Sequence, residues 1–213
     1  MKTKSSLVLF FTVILLSGCA NMRAARDVEY GRQAFLIGNN EIAQGYFLNA
    51  AQADPNYVHG TALRQGVWSY VGRSEYASGR FPQARQSLER ALSMNREENL
   101  ARLYLGLTLA RDGDRQRGLK EIEGGMRGIY DWLEYVTQAH RFSFGRFWDP
   151  SGEIRSAIQS DLAMISGRDV DLQRIIAEGE SLGKRVEQES DRARRDETRE
   201  MTRDSEGSRD GRP

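Results

Sequence analysis

Two hundred and thirteen residues leave room for one domain of ordinary size plus tails. Lys and Arg (31) almost cancel Asp and Glu (30), so a net charge of +1 excludes a bulk field driving the chain onto nucleic acid or an anionic bilayer. With 29% charged and 39% hydrophobic residues, four prolines and little β-branched alternation, the composition suits a solvated helical domain and not a membrane-spanning one. Cys19 is the single cysteine, which excludes an intramolecular disulfide.

At the N-terminus, Lys2 and Lys4 precede an apolar run from Leu7 to Leu16, and Ser17, Gly18 and Cys19 follow at once. A basic start, a short apolar stretch and small residues are the layout of a secretory signal. The run is about half the roughly 20 residues a spanning helix needs. Leu16-Ser17-Gly18-Cys19 resembles a bacterial lipobox, in which small residues flank the scissile bond and the thiol accepts the lipid. The alternative is a plain cleaved signal with a coincidental cysteine. The resemblance implies a signal peptide over 1–18, a tether over 19–23 lipidated at Cys19, and acyl chains such as palmitate as the anchor, each buried CH2 adding about 0.8 kcal/mol. Ala20 follows the cysteine. Where an envelope has two membranes, a lipoprotein without aspartate there is sorted outward, so the periplasmic face of the outer membrane is the expected location.

Apolar periodicity predicts helices over 24–37, 41–53, 61–78, 82–94, 98–111 and 115–127. Two stretches within them share a pattern. Trp68, Val71, Gly72, Gly79, Phe81, Ala84, Leu88 and Ala91 form one copy; Leu105, Gly106, Leu109, Gly113, Gly118, Ile122 and Gly125 form the next. Gly72 and Gly106 are 34 residues apart, as are Gly79 and Gly113, and Ala84 and Gly118. An earlier copy holds Tyr30, Gly31, Ala34, Gly38, Ala43, Phe47, Ala50 and Pro55, but Gly31 lies 41 residues before Gly72. The excess, about Val58 to Arg64, is near two helical turns and is expected to lengthen the next helix without shifting its face. Small residues at Gly72, Gly106, Ala84 and Ala91 let two helices approach, while Phe47, Trp68, Leu88 and Ile122 fill the space between them. Gly38, Gly79 and Gly113 stand where helices should end in a left-handed cap.

A W-x2-[VL]-G pattern at this period is similar to the consensus of tetratricopeptide (TPR) repeats. The resemblance covers about 24–132. It implies an all-α fold, an α-solenoid of about three TPR helix hairpins with C-terminal capping helices, and a concave groove lined by the first helix of each repeat. Carried onto this chain, the groove positions hold Arg32, Phe35 and Leu36, then Ser69, Arg73, Tyr76 and Ala77, then Leu103, Leu107, Ala110 and Arg111. Among these, Arg32, Phe35, Arg73, Tyr76, Leu107 and Arg111 are the implied partner-binding set. Arg32 and Arg73 fall in the same slot, and paired guanidiniums beside aromatics suit a carboxylate or an acidic peptide. The alternative is that Arg is simply abundant here. The Lys and Asn pattern of the family's carboxylate clamp is not reproduced.

Beyond 132, Ile129, Trp132, Leu133, Val136 and His140 predict a helix sealing the last repeat, so 133–168 reads as capping helices with an aromatic loop, Phe142 to Pro150. That loop is either a folded-back plug or an exposed binding patch. Ser151 is placed to cap a helix whose stripe is Ile154, Ile158, Leu162 and Ile165. From Glu180 charges alternate in sign, and 169–213 reads as a charged tail, helical to about Arg199 and disordered past Met201.

A catalytic constellation is hard to assemble. His59 and His140 have no neighbours at ligand spacing, and the glycines have no strand before them and no Lys-Ser/Thr after. The expectation is no enzyme, no metal, no cofactor and no nucleic acid. It is instead a lipid-anchored scaffold binding another envelope protein, resembling small TPR lipoproteins that assist outer-membrane, secretion or pilus assembly. The alternative is a periplasmic solute-binding component of a transport system.

Overall fold

In a computed structural model the backbone is described for residues 3–167 and 169–210, and side chains for 20–167 and 169–203. The all-α expectation holds. The helices are α1 (Thr3–Leu36), α2 (Asn40–Ala53), α3 (Val67–Ala77), α4 (Phe81–Met94), α5 (Asn99–Arg111), α6 (Arg115–Ala139), α7 (Glu153–Ile165) and α8 (Leu172–Asp210), with a 3-10 turn at Phe144–Phe147. Among the described residues no helix is long and apolar enough to cross a membrane. Two compact units divide the chain, Met1–Ala101 and Arg102–Pro213.

In the first unit α1 packs on α2, α2 on α3, and α3 on α4. Its core holds Ala24, Val28, Ala43, Phe47, Ala50, Tyr70 and Val71, all essentially shielded from solvent. Glycine sets how closely the helices meet. A Cβ on Gly31 would lie 2.5 Å from the Phe47 ring, and one on Gly72 would lie 2.5 Å from Leu88 Cγ. Phe47 also stacks on Tyr70, their ring centroids 5.1 Å apart. Full burial of one such side chain contributes about 1.5–3 kcal/mol. Trp68 departs from its expected filling role. It is half-buried, donates from Nε1 to Pro55 O and lies under the Arg90 guanidinium.

The second unit repeats the arrangement between α5 and α6. A Cβ on Gly106 would meet Ile122 N at 2.4 Å, and Gly118 and Gly125 sit equally close against Ala110 and Leu103. Gly38, Gly79 and Gly113 close the first helix of the three hairpins at φ +82°, +72° and +97°, a conformation only glycine adopts without strain.

Several expectations need correction. α1 starts at Thr3, not near 24, so the 19–23 tether is helical. The excess between the first two copies is not helix. Val58–His59 and Gln65–Gly66 pair as a two-stranded antiparallel hairpin, turned through Gly60 at φ +88°, and α3 begins only at Val67. The predicted sealing helix is not separate either, because the buried stripe Ile122, Met126, Ile129, Leu133 and Val136 runs unbroken to the end of α6. Ser151 does not cap α7. Asp149, held at φ 41°, accepts from Ile154 N (2.9 Å) and Arg155 N (3.1 Å), and its carboxylate also takes Arg155 Nε at 3.0 Å. The charged tail is one helix through Asp210, and it buries Ile175, Ile176, Leu182, Val186 and Ala193.

These contacts predict opposite signs for two glycine substitutions. Gly106→Ala forces backbone apart and is expected to cost about 1–3 kcal/mol, more than the ~1 kcal/mol of helix propensity it recovers. Gly45→Ala, on an exposed part of α2 with nothing within 4 Å, should stabilise by roughly 0.5–1 kcal/mol. Urea unfolding of the two variants checks the pair; equal shifts would refute the close-contact reading.

Candidate functional site

Arg32 on α1 and Arg73 on α3 each directly follow a contact glycine, so the hairpin geometry turns both away from solvent. Arg73 is fully buried and Arg32 is 2% exposed. The Arg73 guanidinium carbon lies 5.4 Å from the ring centroids of both Phe35 and Tyr70, and its Nη1 donates to Gln65 Oε1 at 2.6 Å. Arg32 pairs with Glu29 at 3.3 Å. Tyr76 is buried and tilted against Phe81, 5.7 Å between centroids, while Phe35 is partly covered. Taking a cation out of water is expensive; Arg tolerates it best because its flat, weakly hydrated head stacks on rings.

Beside Arg73 stands Glu98, just before α5 and 4% exposed. Both of its carboxylate oxygens accept from Gly66 N, at 3.1 and 3.2 Å, so it pins the base of the β-hairpin. Burial pushes its carboxyl up to about 7, and Ser69, the Gly66 N–H and the Arg73 charge hold it from rising further. Burial also raises Glu75, opposed by Ser87, Arg80 and Gln44; Gln44 Nε2 donates to it at 3.5 Å. The first unit thus holds two polar groups, one of Arg73, Gln65, Ser69 and Glu98 and one of Glu75, Gln44, Ser87 and Arg80, with Arg32 paired separately to Glu29. Sequence reading placed Arg32, Ser69 and Arg73 along a binding groove, whereas all three are buried here. It missed Gln65 and Glu98, which gain their roles only through the unforeseen hairpin.

In the second unit the implied groove is occupied. Leu107 is fully buried, and Gly179 of α8 approaches so closely that a Cβ there would lie 2.9 Å from Leu107 Cδ2. Gly183 faces the Tyr104 ring in the same way. Arg111 is half-exposed and paired with Glu180 at 3.0 Å. Leu107 and Arg111 are therefore not presented in an open groove, because small residues one helical turn apart let α8 lie along α5. Cys19 is helical in its backbone, and its side chain lies outside those described.

The aromatic loop divides between the two readings. Trp148 is buried edge-on against Trp132, 4.7 Å between centroids, and Phe144 stacks on His140 at 4.5 Å. Phe142 stays 83% exposed and Tyr135, on α6, 61%. The plug is fastened by Arg192, which donates to Phe147 O at 2.9 Å, and by Arg155, which bridges Asp149, Glu134 and Thr137 at 3.0 Å each. Both histidines pack on rings, His59 on Tyr70 and His140 on Phe144 and Tyr135. Among the described residues no three His, Cys, Asp or Glu side chains converge as a metal site.

Glu98 makes stability pH-dependent in a defined direction. Its folded value lies above the ordinary carboxylate value of 4.5. Its stabilising contribution is therefore complete below that value and is lost as pH rises through about 7. The loss is about 3 kcal/mol in order of magnitude. Glu98→Gln keeps an acceptor for Gly66 N, so it should be more stable than wild type at pH 8 and show a flatter profile between pH 5 and 8. Asp161, raised by burial and Glu178 to about 6, supplies the slope that remains. Chemical denaturation across that range reads both.

The chain matches no protein-family model, no curated protein and no solved structure with which it was compared.

Proposed function

We propose that this chain is a lipid-anchored scaffold of the TPR type that holds or positions another protein of a bacterial envelope, at the periplasmic face of an outer membrane, in outer-membrane, secretion or pilus assembly. One observation carries the reading. Gly31 against Phe47, Gly72 against Leu88 and Gly106 against Ile122 are the same contact at the same separation in three hairpins. Each is followed by its left-handed glycine at one fixed distance. A hairpin repeated so closely serves to present a surface, and each repeat needs its neighbour to bury its apolar face.

Arg32, Phe35, Arg73 and Tyr76 then hold the first unit together, and a partner reaches them only after that unit opens. Accessible recognition falls to two exposed aromatics, Phe142, with the Arg141 guanidinium 4.5 Å from its ring centre, and Tyr135, against His140. Aromatic and arginine side chains are the usual anchors of protein interfaces. The solute-binding alternative draws support from a cavity of about 410 Å3 in the second unit, whose charged lining balances Arg185, Arg192 and Arg195 against Asp149, Glu153 and Glu189.

Crosslinking from native membranes should capture one specific envelope protein, and Phe142→Ser with Tyr135→Ser should abolish capture while leaving helicity unchanged. Capture that survives the folded double variant removes the aromatic patch. No captured protein, together with an acidic metabolite that raises the melting temperature, favours the solute-binding reading. Cys19→Ser should shift the chain out of the membrane fraction and lower its mass by the acyl groups; unchanged fractionation and mass would remove the lipid anchor.

A further inference from the structure

The outward side of α1 is a stripe that the first unit's own core does not use. Ala24, Val28 and Ala34 turn inward and are buried. Met22 (75% exposed), Arg23, Arg26, Tyr30 (47%), Gln33 and, just past the helix end, Ile37 (81%) turn outward. They recur three and four residues apart, so they share one face. From α2, Tyr46 lies against Tyr30 with ring centroids 5.6 Å apart, and Ile42 adds exposed apolar surface. Of the carboxylates close to the stripe, Asp27 is buried and bound by Arg26 at 3.1 Å and Glu29 binds Arg32, while Glu41, beside Ile42 on α2, is exposed. What faces outward on α1 is guanidinium, tyrosine and aliphatic side chain, without an unengaged acid.

The same helix continues backward through the apolar run Leu7 to Leu16. At 1.5 Å per residue, Cys19 stands about 27 Å from Ile37 along the axis. In the unprocessed chain this apolar segment joins the stripe on one rod; in the lipidated chain the acyl chains at Cys19 bring the same end of the helix to the bilayer. We propose that this stripe is a membrane-contact surface: the α1–α2 hairpin lies against an anionic bilayer, with Met22, Tyr30 and Ile37 in the headgroup layer and Arg23 and Arg26 on lipid phosphates. Tyrosine prefers that layer because its ring is apolar and its hydroxyl is wet, and arginine adds attraction to anionic lipid. The inference rests on the anchoring reading only for which end of the helix meets the membrane first.

Because Cys19 is the only cysteine, the full chain carrying Cys19→Ser accepts single reporters. Tyr30→Cys and Ile37→Cys probe the stripe, and Gln83→Cys, exposed on α4, is the control. Each is labelled with a polarity-sensitive fluorophore and mixed with vesicles of phosphatidylglycerol and phosphatidylcholine, or of phosphatidylcholine alone. The proposal expects a blue shift at 30 and 37 with the anionic vesicles and none at 83. It also expects a roughly tenfold weaker partition for Arg23→Glu with unchanged helicity. A protein that pellets with vesicles while 30 and 37 report water overturns the stripe and assigns the pelleting to the apolar run alone. Equal shifts at all three positions, or a concentration-dependent shift without lipid showing that a second copy covers the face, also overturn it. A chain that neither pellets nor shifts overturns the stripe and counts against the apolar run as well.

Discussion

The contact on which the molecule depends is a missing side chain. At Gly31, Gly72 and Gly106 the first helix of a hairpin comes close enough for a large residue of the second to occupy the place of a Cβ. No larger residue allows that distance, because the ring or branched chain beneath would have to move, and at Gly106 backbone itself stands there. Once the helices are that close, the rest follows. The apolar faces interdigitate, the corner glycines turn the chain back, and in each hairpin the residue after the contact glycine is buried.

In the first unit the residue at that place is charged. Arg32 and Arg73 occupy equivalent places and both are buried, one ion-paired with Glu29 and the other between two rings and Gln65. Glu98 lies beside Arg73, and its own burial raises its carboxyl. A buried polar group of this kind specifies one arrangement more than it adds stability, since half-broken versions leave a charge without water or a partner.

How much was legible in the sequence depended on the range of the cause. The α2, α4 and α5 boundaries and the glycine corners depend on residues three to seven apart, and the pattern showed them. The buried state of Arg73 and the pairing of Arg111 depend on Gln65 and Glu180, eight and sixty-nine positions away, which no local pattern connects. The tail misled for a different reason. Ile175, Ile176, Leu182 and Val186 are spaced for one helix face, but the alternating charges from Glu180 hid that stripe, and Gly179 and Gly183 are the close-approach points of α8 on α5. Asp149 was hidden because its capping reach spans a left-handed residue and a glycine before the helix begins.

The β-hairpin between the first and second copies has a consequence for how such a chain can change in length. A helical insertion between repeats must arrive in whole turns, or the next apolar stripe rotates away from the core. A paired ribbon closes on itself: it leaves α2 at Ala53 and delivers the chain to α3 at Val67, with Glu98 holding its last residue. Residues added at its tip, around Gly60, lengthen the ribbon without turning α3. The joint between these two hairpins is thus a place where insertions are free of helical phase, and the repeat that follows stays in register whatever their number.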